Sequence, residues 1–103
     1  MKIITRIWHG IVKKEDAEIY KTYVENTGLK NYREIDGNIS AKILMRTEND
    51  ICHFLTVSEW KSIESIKKIA GDDYEKARYY PEDYKYLLEF EEFVKHYETI
   101  IYE

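Results

Sequence analysis

One arginine, three tyrosines and two carboxylates fall within eight residues, Ala77-Arg78-Tyr79-Tyr80-Pro81-Glu82-Asp83-Tyr84, around the only proline of the chain. A guanidinium beside phenols is a donor set for an oxyanion: the cation supplies charge and a planar fork of N–H groups, and the hydroxyls supply directed hydrogen bonds. The run is too aromatic for a solvated loop and too polar for a core segment, so it reads as the wall of a pocket. Arg78 is the expected clamp on an anionic or enolate oxygen; the plainer alternative is a surface ion pair with Glu75 or Glu82. Tyr79 joins it as a catalytic candidate and Tyr80 as a substrate contact, although either phenol can equally fill core beneath a helix.

The chain has three histidines, His9, His53 and His96. His53 lies in phase with Leu55 and Val57, in a mostly apolar layer where an imidazole must be neutral or hydrogen-bonded. It is the candidate general base, or else a satisfied structural histidine. His9 is a candidate substrate contact with the same alternative, and His96 reads as structural or interfacial. No two of the three stand at the short spacing of a helical metal motif, so neither a metal nor a cofactor is expected. Cys52, the single cysteine, sits between Ile51 and His53 and reads as a small hydrophobe rather than a nucleophile.

The elements that position these groups follow from periodicity. Residues 3–12 alternate and are β-branched, which predicts a strand carrying Trp8 and His9. Residues 15–27 carry Ala17, Tyr20, Tyr23 and Val24 at helical spacing, with Gly28 as the stop signal. A loop is expected over 30–38, a strand over 39–46, a turn over 47–50 and a strand over 51–60. Ser62 caps a helix with Ile63, Ile66 and Ile69 on one face, ended by Gly71. A short turn over 74–79 and a long last strand over 87–101 complete the order β-α-β-β-α-β. That is an α+β, ferredoxin-like pattern: an antiparallel sheet with both helices on one face. Tyr20 and Tyr23 would face the sheet and line the same cleft as the second helix. Trp60 is expected to pack and to wall that cleft.

The remaining sheet face is not polar. Ile3 and Ile7 oppose Ile4 and Trp8; Leu55 and Val57 oppose Cys52 and Phe54; Leu88, Phe90 and Val94 are expected to oppose Leu87, Phe93 and Tyr97. A chain of 103 residues forms one domain, 1–103, too small to cover both faces. A homodimer through the sheet face is therefore expected. A net charge of −4, with no dense Lys/Arg cluster, argues against nucleic acid. No apolar run reaches membrane-spanning length and no signal-peptide pattern opens the chain, so no membrane partner and a cytoplasmic location are expected.

Three stretches carry a resemblance: Thr5-Arg6-Ile7-Trp8-His9-Gly10 in the first strand, His53-Phe54-Leu55-Thr56 with Glu59-Trp60 in the third, and Ala77-Arg78-Tyr79-Tyr80-Pro81-Glu82-Asp83 before the last. With the element order, the chain resembles the antibiotic biosynthesis monooxygenase-like family of the dimeric α/β barrel superfamily. The resemblance implies a small oxygenase working without metal or flavin on a phenolic, quinol or polyketide-like molecule in a helix–sheet cleft. His53 would be the base, Arg78 and Tyr79 the anion holders, and His9, Tyr20, Tyr23, Trp60 and Tyr80 the substrate contacts. A non-catalytic small-molecule-binding or stress-response protein of the same fold is the alternative. Heme binding is a weaker one. Heme-degrading members carry an asparagine in the first strand, a tryptophan in the second helix and a histidine after it. Here those positions hold Thr5 and Arg6, Ile69, and Tyr79, which points away from heme cleavage.

Overall fold

The computed structural model describes residues 2–102. β1 (Ile3–Lys13) is the longest-range organiser, because its alternation puts Ile4, Arg6, Trp8, Gly10 and Val12 on one face and Ile3, Thr5, Ile7, His9 and Ile11 on the other. β2 (Asn38–Glu48) and β3 (Ile51–Trp60) form a hairpin whose turn places Asn49 at φ 55, a conformation asparagine tolerates. β3 pairs antiparallel with β1 from Ile4↔Trp60 to Lys13↔Ile51. The sheet runs β2-β3-β1-β4, wholly antiparallel, which is the ferredoxin-like order. No helix among the described residues is long and apolar enough to cross a membrane.

The first helical segment runs further than its sequence signals predict. After a 3₁₀ turn (Lys14–Asp16), α1 (Ala17–Val24) passes through a π-helical stretch (Glu25–Leu29) into α2 (Lys30–Arg33). Gly28 is therefore not a stop, and the first four residues of the loop expected over 30–38 are helical. The π stretch adds one residue to the turn. It brings Leu29 and Tyr32 back onto the stripe begun by Tyr20 and Val24, and both pack on buried core. The true break is Gly37, at φ +101, where a Cβ would collide with Ser65. α3 (Ile63–Ala70) starts as expected: Ser62 Oγ accepts from Ser65 N at 3.2 Å, and Gly71 ends the helix at φ +80.

The long last strand is two strands. A short α4 (Asp83–Tyr86) leads into β4 (Leu87–Phe90), and β5 (Lys95–Thr99) follows. Both pair with the same edge of β1, β4 at Gly10–Val12 and β5 at Ile3–Ile7. Between them the chain turns outward to bond residues 75–77: Ala77 N donates to Glu92 O and Val94 N to Glu75 O, each at 2.8 Å. The His9 N–H, left facing the gap, donates instead to Glu91 Oε1 at 3.1 Å. A register shift in the β1–β4 pairing also puts Leu87 and Phe90, expected on opposite faces, opposite Val12 and Gly10 on the helix-covered face.

Two apolar clusters form on the helix side. One gathers Trp8, Val12, Tyr20, Val24, Phe54, Leu87 and Val94; the other gathers Ile4, Trp60, Ile66 and Ala70. Arg6 stands between Ile4 and Trp8 on β1, so it lies on the seam between the clusters. The candidate site opens there.

Candidate functional site

A cleft enters between the helices and the sheet. It comprises two adjoining spaces, one of about 70 Å³ that reaches Trp8, Tyr20 and Asp83 and one of about 380 Å³ bordered by Asn31, Ile69 and Ala70. Arg6, Tyr32, Arg78, Tyr79 and Tyr80 line both parts. The combined space matches the lower range of small-molecule sites.

Arg6 is only 3% exposed. Its Nη1 donates to Tyr74 O at 2.5 Å and to His96 Nε2 at 3.0 Å, and its Nε donates to Tyr32 Oη at 3.3 Å. All three acceptors are neutral. Among the described residues no carboxylate lies within ion-pair distance of this guanidinium, and Nη2 makes no hydrogen bond. A buried cation without a counter-charge is costly, and this one borders a cavity. Its field also acts on His96: burial, then Arg6, lowers that imidazole's pKa to about 4.

The segment from Ala77 to Tyr84 forms one wall. Asp83, buried, accepts from Tyr20 Oη at 2.9 Å and from Tyr80 N at 2.7 Å. Burial raises its pKa, against the pull of those two hydrogen bonds. Tyr20 is held far above its ordinary value by burial and by the Asp83 charge, so its proton stays on the phenol. Tyr80 Oη accepts from Asn31 Nδ2 at 2.8 Å, which leaves its own O–H to point elsewhere. The Arg78 side chain is exposed at the mouth. Its Nη1 donates to Ile69 O at 2.6 Å, and no carboxylate among the described residues pairs with it. Tyr79 is differently employed: its oxygen accepts from Trp8 Nε1 at 2.7 Å and its O–H is given to Glu91 O. That phenol bolts the sheet to the β4–β5 break, and burial raises its pKa.

The structure thus brings Arg78, Tyr79, Tyr80 and Tyr20 into one cleft. Tyr23 stands behind Tyr20, with ring centroids 5.9 Å apart, and burial pushes its pKa up to about 12. Trp60 is fully buried under Tyr32, edge to face at 5.5 Å. His9 and His53 are elsewhere. They share a face, the open one, where their rings stack at 5.3 Å and His9 Nε2 lies 3.0 Å from His53 Nδ1. The sheet separates them from the cleft, so within one chain His53 does not reach a molecule held by Arg78. Among the described residues no three His, Cys, Asp or Glu side chains gather to hold a metal.

Arg6, Tyr32 and Asp83 are not among the site residues expected from the sequence. Arg6 did leave a signal, a cation in phase with Ile4 and Trp8 on a strand face that must be covered. Tyr32 was hidden in the supposed loop. Asp83 was one of two adjacent acids, and only burial distinguishes it from Glu82.

No protein-family model matches the chain, and no curated protein sequence matches it. Solved structures do match. A Bacillus cereus protein described as a candidate antibiotic biosynthesis monooxygenase superimposes over 100% of this chain and 98% of its own, with a TM-score of 0.69 at 12% identity. A conserved Methanosarcina mazei protein covers 94% of this chain and 92% of its own, with a TM-score of 0.65 at 19% identity. A Nitrosomonas europaea protein with the same monooxygenase description covers 94% and 88%, with a TM-score of 0.59 at 16% identity. The likeness is one of fold and spans nearly the entire length: this chain has the α+β, ferredoxin-like architecture of those proteins.

Proposed function

We propose that the chain binds a small phenol or enol as its anion in the helix–sheet cleft and oxygenates it without a cofactor. The observation that carries this reading is Arg6: a buried guanidinium with no carboxylate partner among the described residues, beside a cavity walled by phenols. An oxyanion seated between its Nη2 and the Tyr32 hydroxyl supplies the missing counter-charge. Asp83, lining the same space as Arg6 and Tyr32, is the base in place of His53, because burial makes its carboxylate a better proton acceptor. The anion then donates an electron to oxygen, and the resulting pair combines as a hydroperoxide at a ring carbon. Loss of water leaves a quinone: one oxygen atom enters the ring, the other leaves as water with the hydrogens of the ring C–H and the phenol. The two structural neighbours described as monooxygenases are consistent with that chemistry on this architecture.

The open sheet face belongs to the same reading. It presents Ile7, Leu44, Leu55, Val57 and Tyr97 in one layer. A second copy covers it, and the protein works as a homodimer.

Oxygen consumption with a panel of quinols and naphthols tests the activity. Uptake is expected with at least one, with loss in Asp83→Asn. Binding of these compounds with no uptake above buffer would return the non-catalytic alternative, a small-molecule-binding protein of this fold.

A further inference from the structure

The cleft holds a second cation with no carboxylate partner among the described residues. Arg78 stands at its mouth, with Nη1 fixed to Ile69 O and the rest of the fork free. Both arginines border both spaces of the cleft. Among the described residues the one acid lining these spaces, Asp83, accepts from Tyr20 and Tyr80 and makes no ion pair with either arginine. Once Asp83 has taken the phenol's proton its charge is gone, so the two guanidiniums, at different depths, meet a single phenolate and one positive charge is left over.

We infer that the ligand is a hydroxyaromatic carboxylate, its phenolic oxygen deep against Arg6 and its carboxylate at the rim on Arg78. The inference rests on the phenol-binding reading and narrows its substrate class. The depths suit the two groups. Arg6 sits where little water reaches, with a phenol hydroxyl beside it, a setting for an oxygen that gains charge only on binding. Arg78 sits at the opening, where a permanently charged carboxylate keeps part of its hydration while taking a two-point hydrogen bond from the fork. Tyr80, its hydroxyl oxygen already occupied by Asn31, offers a further O–H at the same rim. The neutral aromatic body lies between them against Tyr32 and Tyr79.

Calorimetric titration of the full chain with 2-naphthol, 6-hydroxy-2-naphthoate, 3-hydroxy-2-naphthoate and plain 2-naphthoate tests this. At least one hydroxynaphthoate should bind about tenfold or more tighter than 2-naphthol, the worth of one charge-assisted hydrogen bond. Arg78→Gln should bring that affinity ratio close to one. Arg78 is exposed and makes a single internal hydrogen bond, so the variant folds. Raising the salt concentration on the unmodified protein should shrink the same ratio. If 2-naphthol binds and neither hydroxynaphthoate binds tighter, or if the ratio survives Arg78→Gln, the inference is overturned and the phenol cleft stands. If 2-naphthoate binds as well as the hydroxynaphthoates and 2-naphthol does not bind, the phenol reading itself falls. Absence of binding by all four overturns both.

Discussion

Arg6 Nη1 donates to His96 Nε2 at 3.0 Å, a hydrogen bond that only a neutral imidazole accepts. Arginine has no acceptor, so the His96 proton must sit on Nδ1. β1 and β5 bring the two residues opposite each other, Arg6↔His96, on the face that the helices cover. The imidazole is thus part of the machinery that holds the cleft's cation in place, and it does so in one protonation state.

A pH dependence follows. The unfolded histidine takes up its proton near the ordinary value of 6.5, and the folded one near 4. Between those values the unfolded chain binds more protons, so stability falls as the pH drops from about 6.5 to about 4 and is indifferent to His96 above that window. Asp83, with a raised pKa, acts in the opposite sense at the acid end. Thermal melts across this range should show a declining melting temperature, and His96→Gln should remove about one proton's share of the slope. An unchanged slope in that variant would refute the role given to His96.

Tyr79 and Tyr32 should separate structure from binding. Tyr79→Phe loses the Trp8 and Glu91 hydrogen bonds and should cost roughly 1–3 kcal/mol of stability, with a shift in Trp8 fluorescence. Tyr32→Phe should spare stability more and weaken naphthol binding more. The reverse ranking, measured by denaturant melts and calorimetry, would make Tyr79 the ligand contact.

Gly10 is a packing requirement. A Cβ there would meet Trp8 Cζ2 at 2.5 Å, because the indole lies across the glycine on its way to Tyr79. Gly10→Ala should therefore displace Trp8, with a loss of about 1–3 kcal/mol. A variant as stable as the parent, with unchanged tryptophan emission, would show that the indole has another place to go.

The open face predicts an association state. Leu44 is 47% exposed and stands opposite Leu55 in that layer. Light scattering on a sizing column should report a mass near twice 12.5 kDa, and Leu44→Asp should drive it toward one chain, since a carboxylate cannot be buried there unpaired. A parent protein that elutes as a monomer at micromolar concentration ends the dimer proposal.

Period-two alternation by itself determined β1, β2 and β3, the hairpin between the last two, and which residues of β1 share a face. Side chains on a pleated strand have no choice but to alternate. The Ser62 cap and the Gly71 stop were equally legible, because their partners lie within a turn in sequence. What alternation does not say is which face the helices cover when both faces are apolar. Only tertiary packing decided that, and it put Arg6 in the cleft with Arg78 while sending His9 and His53 to the opposite side. Two further outcomes depend on contacts distant in sequence. The helix passes Gly28 because Leu29 and Tyr32 gain buried surface beyond it. The last strand breaks because residues 75–77 offer backbone partners that β1 does not. The pocket wall from Ala77 to Tyr84 could be read locally; the cation it faces, 72 residues upstream of Arg78, could be identified only once the strands were paired.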